Sequence, residues 1–479
     1  MPSVPSSSVP RSSVPLSSPR LSNLAARDVE TLVHPYINLA SFRETGPLII
    51  ERAHGIYVYD TDGKAYIEGM AGLWCTALGY GNEELVEAAA AQMRKLSFAH
   101  LFTGRSHDPA IELAEKLKEM APVPISKVFF CGSGSEANDS QVKLVWYLNN
   151  ALGRPQKKKI ISRVKAYHGV TVAAASLTGL PANHRDFDLP LPGFLHATCP
   201  HHYRFAQEGE TEEAFATRLA DELEALILKE GPDTVAAFIA EPVMGAGGVI
   251  VPPQKYFEKI AAVCAKYDVF TVSDEVICGF GRLGTAFGCQ KLNFAPHAIS
   301  VAKALSSAYL PIAGVMIPEI MYQALLSESK KIGAFGHGFT YGGHPVSAAV
   351  ALKALEIYSR ERIFERAAKL TPQFQKRLAA LNAHPLVGEA RGLGLIGGVE
   401  LVANKKTRQA FAPAQGVGPR AVRFAEDEGL IVRSVMGDVL TLCPPLIITA
   451  AEIDELFDRL GRALDKTLDW VRRERLDQA

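Results

Sequence analysis

The sequence predicts an α/β fold in which a large doubly wound sheet, parallel or mixed, is accompanied by a smaller domain. Three observations lead to this prediction. Short apolar runs alternate with amphipathic helical segments between residues 77 and 344, which is typical of βα units. The runs are largely apolar, as in strands that are covered on both faces. After Pro345 the pattern changes to long helices around one glycine-rich strand region.

The composition excludes several classes of protein. Of the 479 residues 48% are hydrophobic, and 51 basic residues balance 51 acidic ones. A chain without net charge lacks the basic excess of a nucleic-acid-binding protein. The most apolar long stretch, Val235–Pro253, is interrupted by Glu241 and Pro242, which argues against a membrane helix. We therefore expect no nucleic-acid partner and no association with a membrane.

Seven cysteines are scattered along the chain, and none of them forms a CxxC pair. They are too few for a disulfide framework, which indicates a reducing compartment. We expect a cytoplasmic location and no bound metal.

Residues 1–27 form a Ser- and Pro-rich tail that we expect to be disordered. The first 25 residues contain no acid, and Arg11 and Arg20 are their only charged side chains. Such a segment buries too little apolar surface to offset the entropy of ordering. A transit peptide is the alternative, because such peptides are rich in Arg and Ser. Five prolines would break the amphipathic helix of a transit peptide, which favours a plain tail.

Residues 28–76 are expected to form the N-terminal segment of the smaller domain. Pro47–Val58 and Lys64–Glu68 alternate like strands on either side of the turn Asp60–Gly63. Residues 77–344 are expected to form the large domain, and residues 345–479 the C-terminal part of the smaller one. Strands are predicted in the large domain at Lys127–Cys131, Lys159–Val164, Val235–Ala240, Val269–Ser273 and Ala298–Val301, and in the C-terminal part of the smaller domain within Gly392–Val402. Helices are predicted at Asn82–Leu96, Pro109–Met120, Ser135–Ala151, Glu213–Glu230, Gln254–Tyr267, Pro345–Glu361 and Ala450–Arg475.

Polar signals follow several of these strands, at the sheet edge where open α/β folds bind ligands. Cys131–Ala137 is a Gly/Ser loop that opens a helix, an arrangement suited to a phosphate. The same string matches a dinucleotide fingerprint, but the ribose-binding acid expected about 20 residues later is missing. An ordinary capped turn is the other alternative.

An acid and a lysine end two further strands. Asp274 at the end of a buried strand needs a partner, because a buried charge is costly. Lys303 ends the apolar run from Ala298, where desolvation would make its amine a nucleophile toward aldehydes. The alternatives are an acid that caps the next element and a lysine that extends into solvent.

Two more strand ends carry Tyr167 and Glu241. The tyrosine, followed by His168 and Gly169, could stack on a flat heteroaromatic ring. A core tyrosine and a structural hydrogen-bond acceptor are the alternatives for the two residues. A phosphate loop, a stacking aromatic, an acid for a ring nitrogen and a nucleophilic lysine are together the parts of a pyridoxal phosphate site.

The chain resembles the class III aminotransferases of pyridoxal-phosphate fold type I, and within them the ω-transaminases, over residues 30–475. The matching strings are Gly69–Trp74, Ser133–Asp139, Tyr167–Gly169, Glu241–Gly248, Asp274–Arg282, Ala302–Ser307 and His337–Pro345. The resemblance implies a large doubly wound domain and a smaller α/β domain built from both chain ends. It also implies a homodimer with shared active sites, which could pair into a tetramer.

The family's roles transfer onto matching positions. Lys303 resembles the Schiff-base lysine and proton shuttle, and Asp274 the acid on the pyridine nitrogen. The other cofactor-binding positions implied by the resemblance are Gly134 and Ser135 at the phosphate, Tyr167 and Val276 on the two ring faces, His168, Glu241, and Thr340, which reaches the neighbouring subunit's phosphate. The substrate-binding positions implied are Tyr36, Trp74, Phe102 (from the partner chain), Tyr167 and Arg433, the last in a loop that holds a mobile carboxylate-binding arginine.

The resemblance implies transfer of an amino group from a primary amine or ω-amino acid to a keto acid, with pyruvate expected. The reaction would be ping-pong, through pyridoxal phosphate and pyridoxamine phosphate. A decarboxylase or aminomutase of the same family is the alternative. A nicotinamide-dependent oxidoreductase and a non-catalytic binding module are hypotheses from other classes. The missing ribose-binding acid and Lys303 count against the first, and the presence of both Asp274 and Lys303 counts against the second.

Overall fold

The computed structural model describes residues 21–478. Its helices are α1 Asn23–Thr31, α2 Leu39–Thr45, α3 Ala71–Trp74, α4 Glu83–Lys95, α5 Asp108–Met120, α6 Gly134–Ala151, α7 Val172–Leu177, α8 His202–Phe205, α9 Glu212–Glu230, α10 Tyr256–Lys266, α11 Gly288–Lys291, α12 Glu319–Ile332, α13 Pro345–Arg360, α14 Ile363–Ala380, α15 Val417–Asp427 and α16 Ala450–Arg473. Its strands are β1 Ile50–His54, β2 Tyr57–Asp60, β3 Ala65–Glu68, β4 Lys127–Cys131, β5 Lys159–Arg163, β6 Phe194–Ala197, β7 Val235–Ala240, β8 Phe270–Asp274, β9 Ala298–Val301, β10 Ala313–Ile317, β11 Val387–Leu393, β12 Ile396–Leu401, β13 Leu430–Ile431, β14 Arg433–Val435 and β15 Val439–Leu442. Across residues 21–478, no helix has both the length and the apolar character needed to cross a membrane.

Residues 21–52 and 58–65 form a small compact unit of their own. Its helices begin at side-chain caps: Ser22 accepts the backbone N–H of Ala25 at 3.2 Å, and Asn38 accepts that of Ala40 at 3.0 Å. Such caps satisfy N–H groups that the first turn of a helix leaves free. Most of the predicted tail, residues 1–27, lies outside the described residues, and α1 begins within its last part because Ser22 caps it.

The second unit, residues 53–57 and 66–478, is built around a seven-stranded sheet of order β4-β10-β9-β8-β7-β5-β6. The neighbours from β9 to β6 are all parallel. β10 runs antiparallel to both β4 and β9, so the sheet is mixed. The predicted α/β doubly wound fold is confirmed. The carboxyl ends of the parallel strands share one edge of the sheet, where ligands bind in such folds.

Two buried cores cover the two faces of this sheet. On β7, Phe238 and Ala240 belong to the core shared with α9 and α10, whereas Ile239 belongs to the core shared with α6 and α12. Every residue of β7, β8, β9 and β10 is buried. The apolar runs in the sequence therefore mark central strands with helices on both faces.

One strand of the large sheet is not predicted by the sequence pattern. β10 follows β9 without an intervening α-helix, and it returns antiparallel. A βα pattern does not predict such a strand, because the pattern assumes a crossover helix between parallel neighbours. The predicted strand Pro47–Val58 is also divided, because the chain turns at Gly55, whose φ is 58°.

The C-terminal region carries a second sheet of order β11-β12-β15-β14, antiparallel throughout. The predicted strand region Gly392–Val402 holds the turn of the hairpin β11–β12, where Gly394 has a φ of 63°. Behind it α14 and α16 meet through Phe374 and Phe457, whose ring centroids are 5.1 Å apart. The domain boundaries at residues 76 and 344 stay a prediction.

Candidate active site

The first turn of α6 forms a loop suited to an anion, directly after β4. Ser133 caps the helix, because its Oγ accepts the backbone N–H of Glu136 at 3.2 Å. The Glu136 carboxylate in turn accepts the N–H of Gly132 at 2.6 Å. Within the described chain, the N–H groups of Gly134 and Ser135 have no hydrogen-bond acceptor. Free N–H groups at the N-terminus of a helix attract an anion, so this loop can hold a phosphate.

Two glycines let neighbouring segments approach this loop closely. A Cβ atom on Gly134 would lie 3.0 Å from Cγ1 of Val276. Gly169 has a φ of 139°, and a Cβ atom there would lie 2.6 Å from Oγ of Ser135. That hydroxyl also accepts the N–H of Val170 at 3.1 Å. The structure therefore brings together the start of α6, the loop after β5 and the residues after β8.

Asp274 ends β8 and is only 3% exposed. Its Oδ2 accepts the side-chain amide of Asn138 at 2.7 Å and lies 2.8 Å from Nδ1 of His168. Its Oδ1 accepts the N–H of Val276 at 3.1 Å. Among the residues that the structure describes, no Lys or Arg forms an ion pair with this carboxylate. It is thus held in one orientation and can act as the counter-ion of a cationic ring nitrogen.

Lys303 follows β9 at the start of a short 3-10 turn. Its φ is 50°, a left-handed conformation that is uncommon for residues other than glycine. In the described part of the chain its ammonium group makes no hydrogen bond or ion pair. Desolvation lowers the pKa of this group, although Cys75, Asp274 and Glu241 act in the opposite direction. A lowered pKa increases the neutral, nucleophilic fraction of the amine.

Glu241 links the loop after β5 to the loop after β7. Its Oε1 accepts the N–H of Tyr167 and its Oε2 the N–H of Gly245, each at 3.0 Å. The residue is buried, and desolvation raises the pKa of its carboxyl group. Because backbone donors use both oxygens, this geometry favours the structural role that the sequence leaves open for Glu241. Tyr167 is half-buried and His168 buried at the same edge.

A model of the class-III aminotransferase family matches residues 40–464. The chain belongs to this family. It is therefore a pyridoxal-phosphate-dependent aminotransferase of fold type I, which moves an amino group from an amine or ω-amino acid to a keto acid. The predicted cofactor and reaction class are confirmed, and the decarboxylase or aminomutase alternative is not favoured.

Three relatives illustrate how similar this aminotransferase is to known proteins. A chloroplastic γ-aminobutyrate transaminase 3 from Solanum lycopersicum is 54% identical over 426 residues, which cover 89% of this chain and 82% of that protein. A mitochondrial γ-aminobutyrate transaminase 1 from the same plant is 53% identical over 425 residues, 88% and 82% of the two chains. The solved structure of an ω-transaminase from Pseudomonas jessenii in complex with PMP is 55% identical, covers 94% of this chain and 99% of its own, and superposes with a TM-score of 0.92.

The predicted cytoplasmic location is wrong, because these plant relatives are named as chloroplastic and mitochondrial proteins. All seven cysteines are free in the structure. Free cysteines are typical of compartments that keep thiols reduced. They cannot separate the cytoplasm from other compartments that keep thiols reduced, which is why the cysteine count pointed to the wrong place.

The donor groups of the site fit pyridoxal phosphate. The free N–H groups of Gly134 and Ser135 would hold its phosphate, Asp274 its ring nitrogen, and Lys303 its aldehyde carbon. When bound, the cofactor supplies an electron sink for charge that develops on the substrate carbon. The close approach of Val276 to Gly134 also places an apolar side chain at the loop, as the predicted ring contact requires.

The predicted substrate residues occupy different environments. Trp74, at the end of α3, is 2% exposed and belongs to a buried cluster that includes Met70, Ile277 and Cys443. Tyr36 lies in the separate N-terminal unit and is 55% exposed. The structure therefore places Trp74 beside the residues that follow Asp274.

Phe102 and the segment that carries Thr340 meet at the surface. The Phe102 ring is 44% exposed, and a Cβ atom on Gly338 would lie 2.9 Å from its Cζ. Thr340 is exposed in this single chain. His337 anchors the segment to α6, because its Nε2 lies 2.9 Å from Oγ of Ser140.

Arg433 begins β14, whereas the sequence predicted that it lies in a loop. It pairs with Thr441 of β15, whose hydroxyl donates to the Arg433 carbonyl oxygen at 2.9 Å. The turn of this hairpin falls at residues 436–438. The backbone of Arg433 is thus fixed, and only its long side chain can change position.

Sequence reasoning missed two residues that shape the site. Asn138 holds Asp274 by a hydrogen bond. The sequence could have indicated this role, because Asn138 is a polar residue on the buried face of α6, in line with Gln141 and Val145. Because buried polar groups are almost always hydrogen-bonded, a buried asparagine at this position is expected to have a hydrogen-bond partner. Glu68 was the second, an acid at the end of β3 that is 3% exposed.

Proposed function

We propose that this aminotransferase works by a ping-pong cycle in which an amine or ω-amino acid gives its amino group and pyruvate receives it. The observation that carries the proposal is the meeting of three features at one sheet edge: the unpaired amine of Lys303, the fixed carboxylate of Asp274 and the free N–H groups of α6. The relatives named as γ-aminobutyrate transaminases and ω-transaminases support a donor whose amino group is not next to a carboxylate.

Lys303 is assigned the two roles that require a neutral amine. Its Nζ is the group that binds the cofactor when no substrate is present. Once a donor has displaced it, the same Nζ accepts the proton that leaves the substrate carbon and later delivers it again. Desolvation favours the neutral form that the first role needs, and the missing hydrogen-bond partner leaves Nζ able to move between the two.

Separate half-reactions test this proposal. Wild-type holoenzyme mixed with a simple amine, and no keto acid, should convert its cofactor to the amine form in one turnover. Pyruvate alone should then restore the original visible spectrum. A decarboxylase or aminomutase would not accumulate the amine form, so a spectrum that does not change with any amine would contradict the proposal.

Arg433→Ala should raise the KM for pyruvate at least about tenfold. A carboxylate in an apolar site needs a cation, and the planar guanidinium can pair with it bidentately. When an apolar amine binds, the long side chain can turn away and avoid the desolvation cost of a buried unpaired charge. Steady-state kinetics with varied pyruvate give the KM, and the single turnover of a carboxylate-free amine should change little.

Arg433→Lys is the matched variant, because it keeps the charge and loses the planar fork. It should lie between the wild type and Arg433→Ala in its KM for pyruvate. Equal losses in the two half-reactions, or no loss in either, would remove Arg433 from the site.

We also propose that the active enzyme is a homodimer in which Thr340 and Phe102 face the partner's active site. An exposed aromatic pair begins at the residue after Thr340: Tyr341 is 70% exposed and Phe98 41%, and their ring centroids are 6.0 Å apart. Contiguous exposed apolar groups mark interaction surfaces. A tetramer made of two such dimers is compatible with the same arrangement.

Thr340→Ala should weaken cofactor retention by roughly tenfold to a hundredfold, since a hydrogen bond to a charged group contributes about 1.5–3 kcal/mol. Dialysis of the holoenzyme against phosphate, followed by its visible absorbance, measures the retention. Thr407→Ala removes another exposed threonine and should behave like the wild type. If the Thr340 variant kept its cofactor equally well, the assigned cross-subunit contact would be wrong.

A further inference from the structure

The segment from Met70 to Trp74 has an unusual backbone. Ala71 and Trp74 have φ values of 46° and 66°, and Gly72 has a φ of 65°. Left-handed conformations at residues other than glycine persist only where surrounding contacts impose them. The segment places Trp74 in the buried cluster with Ile277, three residues after Asp274.

Glu68 supplies contacts that impose this backbone. Its Oε1 accepts the N–H of Met70 at 3.1 Å, and its Oε2 accepts the N–H of Gly72. The Tyr80 hydroxyl donates to the same Oε2 at 3.3 Å. One side chain thus satisfies the N–H groups of two residues in the turn, Met70 and Gly72, and the N–H of Trp74 donates to the Met70 carbonyl at 2.8 Å.

The surroundings of Glu68 show that no cation explains its burial. Within residues 21–478 it forms no ion pair, and desolvation raises the pKa of its carboxyl group to about 8, so the carboxylate form predominates only above that pH. Burying an acid without a cation is costly, so the acid must serve a purpose that an apolar residue would not. That purpose is to accept two backbone N–H groups of the turn, one at each oxygen of the side chain.

We propose that Glu68 is a positioning residue that holds Trp74 in place and through it determines how large an amine the site accepts. The inference rests on the proposed aminotransferase function and on the substrate-binding role that the family resemblance implies for Trp74. Because the cluster around Trp74 includes Ile277, a shift of this segment would change the wall of the site without touching Lys303 or Asp274. A substitution at Glu68 would therefore change which amine donors the site accepts, and it would leave the capacity for proton transfer unchanged.

Glu68→Gln tests this with almost no change in shape. The amide of glutamine offers one oxygen and one donor NH2 group, so one of the two turn N–H groups would face another donor. Leaving a buried N–H group unsatisfied costs enough to displace the segment. The matched control is Tyr80→Phe, which removes only the third donor and leaves both backbone N–H groups bound.

The experiment compares the KM and kcat of holoenzyme for 1-phenylethylamine and propan-2-amine at about pH 9, where Glu68 is mostly the carboxylate, with pyruvate as acceptor. Glu68→Gln should raise the KM for the aryl amine roughly tenfold and change that for the small amine less than about twofold. Tyr80→Phe should leave the ratio of the two KM values as in the wild type. In a Trp74→Leu background Glu68→Gln should no longer change that ratio, because the residue through which it acts is gone.

Other results would overturn the inference. Equal changes for both amines, an effect that persists without Trp74, or loss of folding in Glu68→Gln would make Glu68 a residue of the fold alone. The wild-type half-reaction distinguishes this from failure of the proposed function. If wild-type holoenzyme converts amines while the Glu68 variant shows no selectivity change, only the positioning role is lost.

Discussion

Lys303→Ala is expected to lose the visible absorbance of the lysine-bound cofactor and to reduce turnover by at least about a thousandfold. Two functions vanish together, because the same Nζ binds the cofactor and moves the proton. General acid–base groups alone contribute roughly 10²–10⁴-fold. The absorbance of purified protein and steady-state turnover with an amine and pyruvate measure the two losses.

A lysine away from the site provides the control for this substitution. Lys95 is exposed and pairs with Asp108 at 2.9 Å, so Lys95→Ala should keep both the absorbance and the turnover. An external primary amine could restore part of the proton transfer in Lys303→Ala, but it should not restore the protein-bound absorbance. Wild-type activity in the Lys303 variant would remove the lysine from the mechanism.

Asp274→Ala is expected to slow the amine half-reaction roughly a hundredfold or more, the scale seen when a preorganised electrostatic partner is removed. The positive ring nitrogen would lose its anion, and the cofactor would be a weaker electron sink. Lys303 would remain, so the holoenzyme should still absorb in the visible range. Single-turnover rates followed by absorbance separate this slow step from loss of cofactor.

Asp274→Asn separates charge from shape. It keeps the volume of the side chain but removes the negative charge, and its NH2 group would face the donors of Asn138 or His168, which lie 2.7 and 2.8 Å from Oδ2 in the wild type. It should be slow like Asp274→Ala. If either variant turned over at the wild-type rate, Asp274 would be a structural acid that ends β8.

Much of this site could be predicted because its main residues sit at strand ends. Asp274 and Lys303 each follow an apolar run, and the edge of a parallel sheet brings such positions together whatever the loops do. The positions that escaped prediction depend on side chains that meet from distant parts of the chain. Asn138 acts through an acid 136 positions away, and a helical pattern shows only that a polar residue is buried.

Segments outside the βα alternation were harder to predict. β10 turns back beside β9 with no crossover, so neither its existence nor its direction follows from periodicity. Arg433 belongs to a strand of only three residues, which is too short for an alternation to be visible. The prediction of a cytoplasmic location was wrong for a different reason. The cysteine content indicates the redox state of a compartment and not which compartment it is.

The hydrogen bonds that hold Asp274 also have a consequence for the order of events during synthesis of the chain. The carboxylate is held by donors 106 and 136 positions earlier in the chain, and closing such long loops is a late and entropically costly event. A nascent chain that has emerged only as far as α10 has the phosphate loop but neither Asp274 nor Lys303. Cofactor capture through these residues therefore requires a chain that extends at least to Lys303, and a shorter chain lacks the amine that holds the reactive aldehyde.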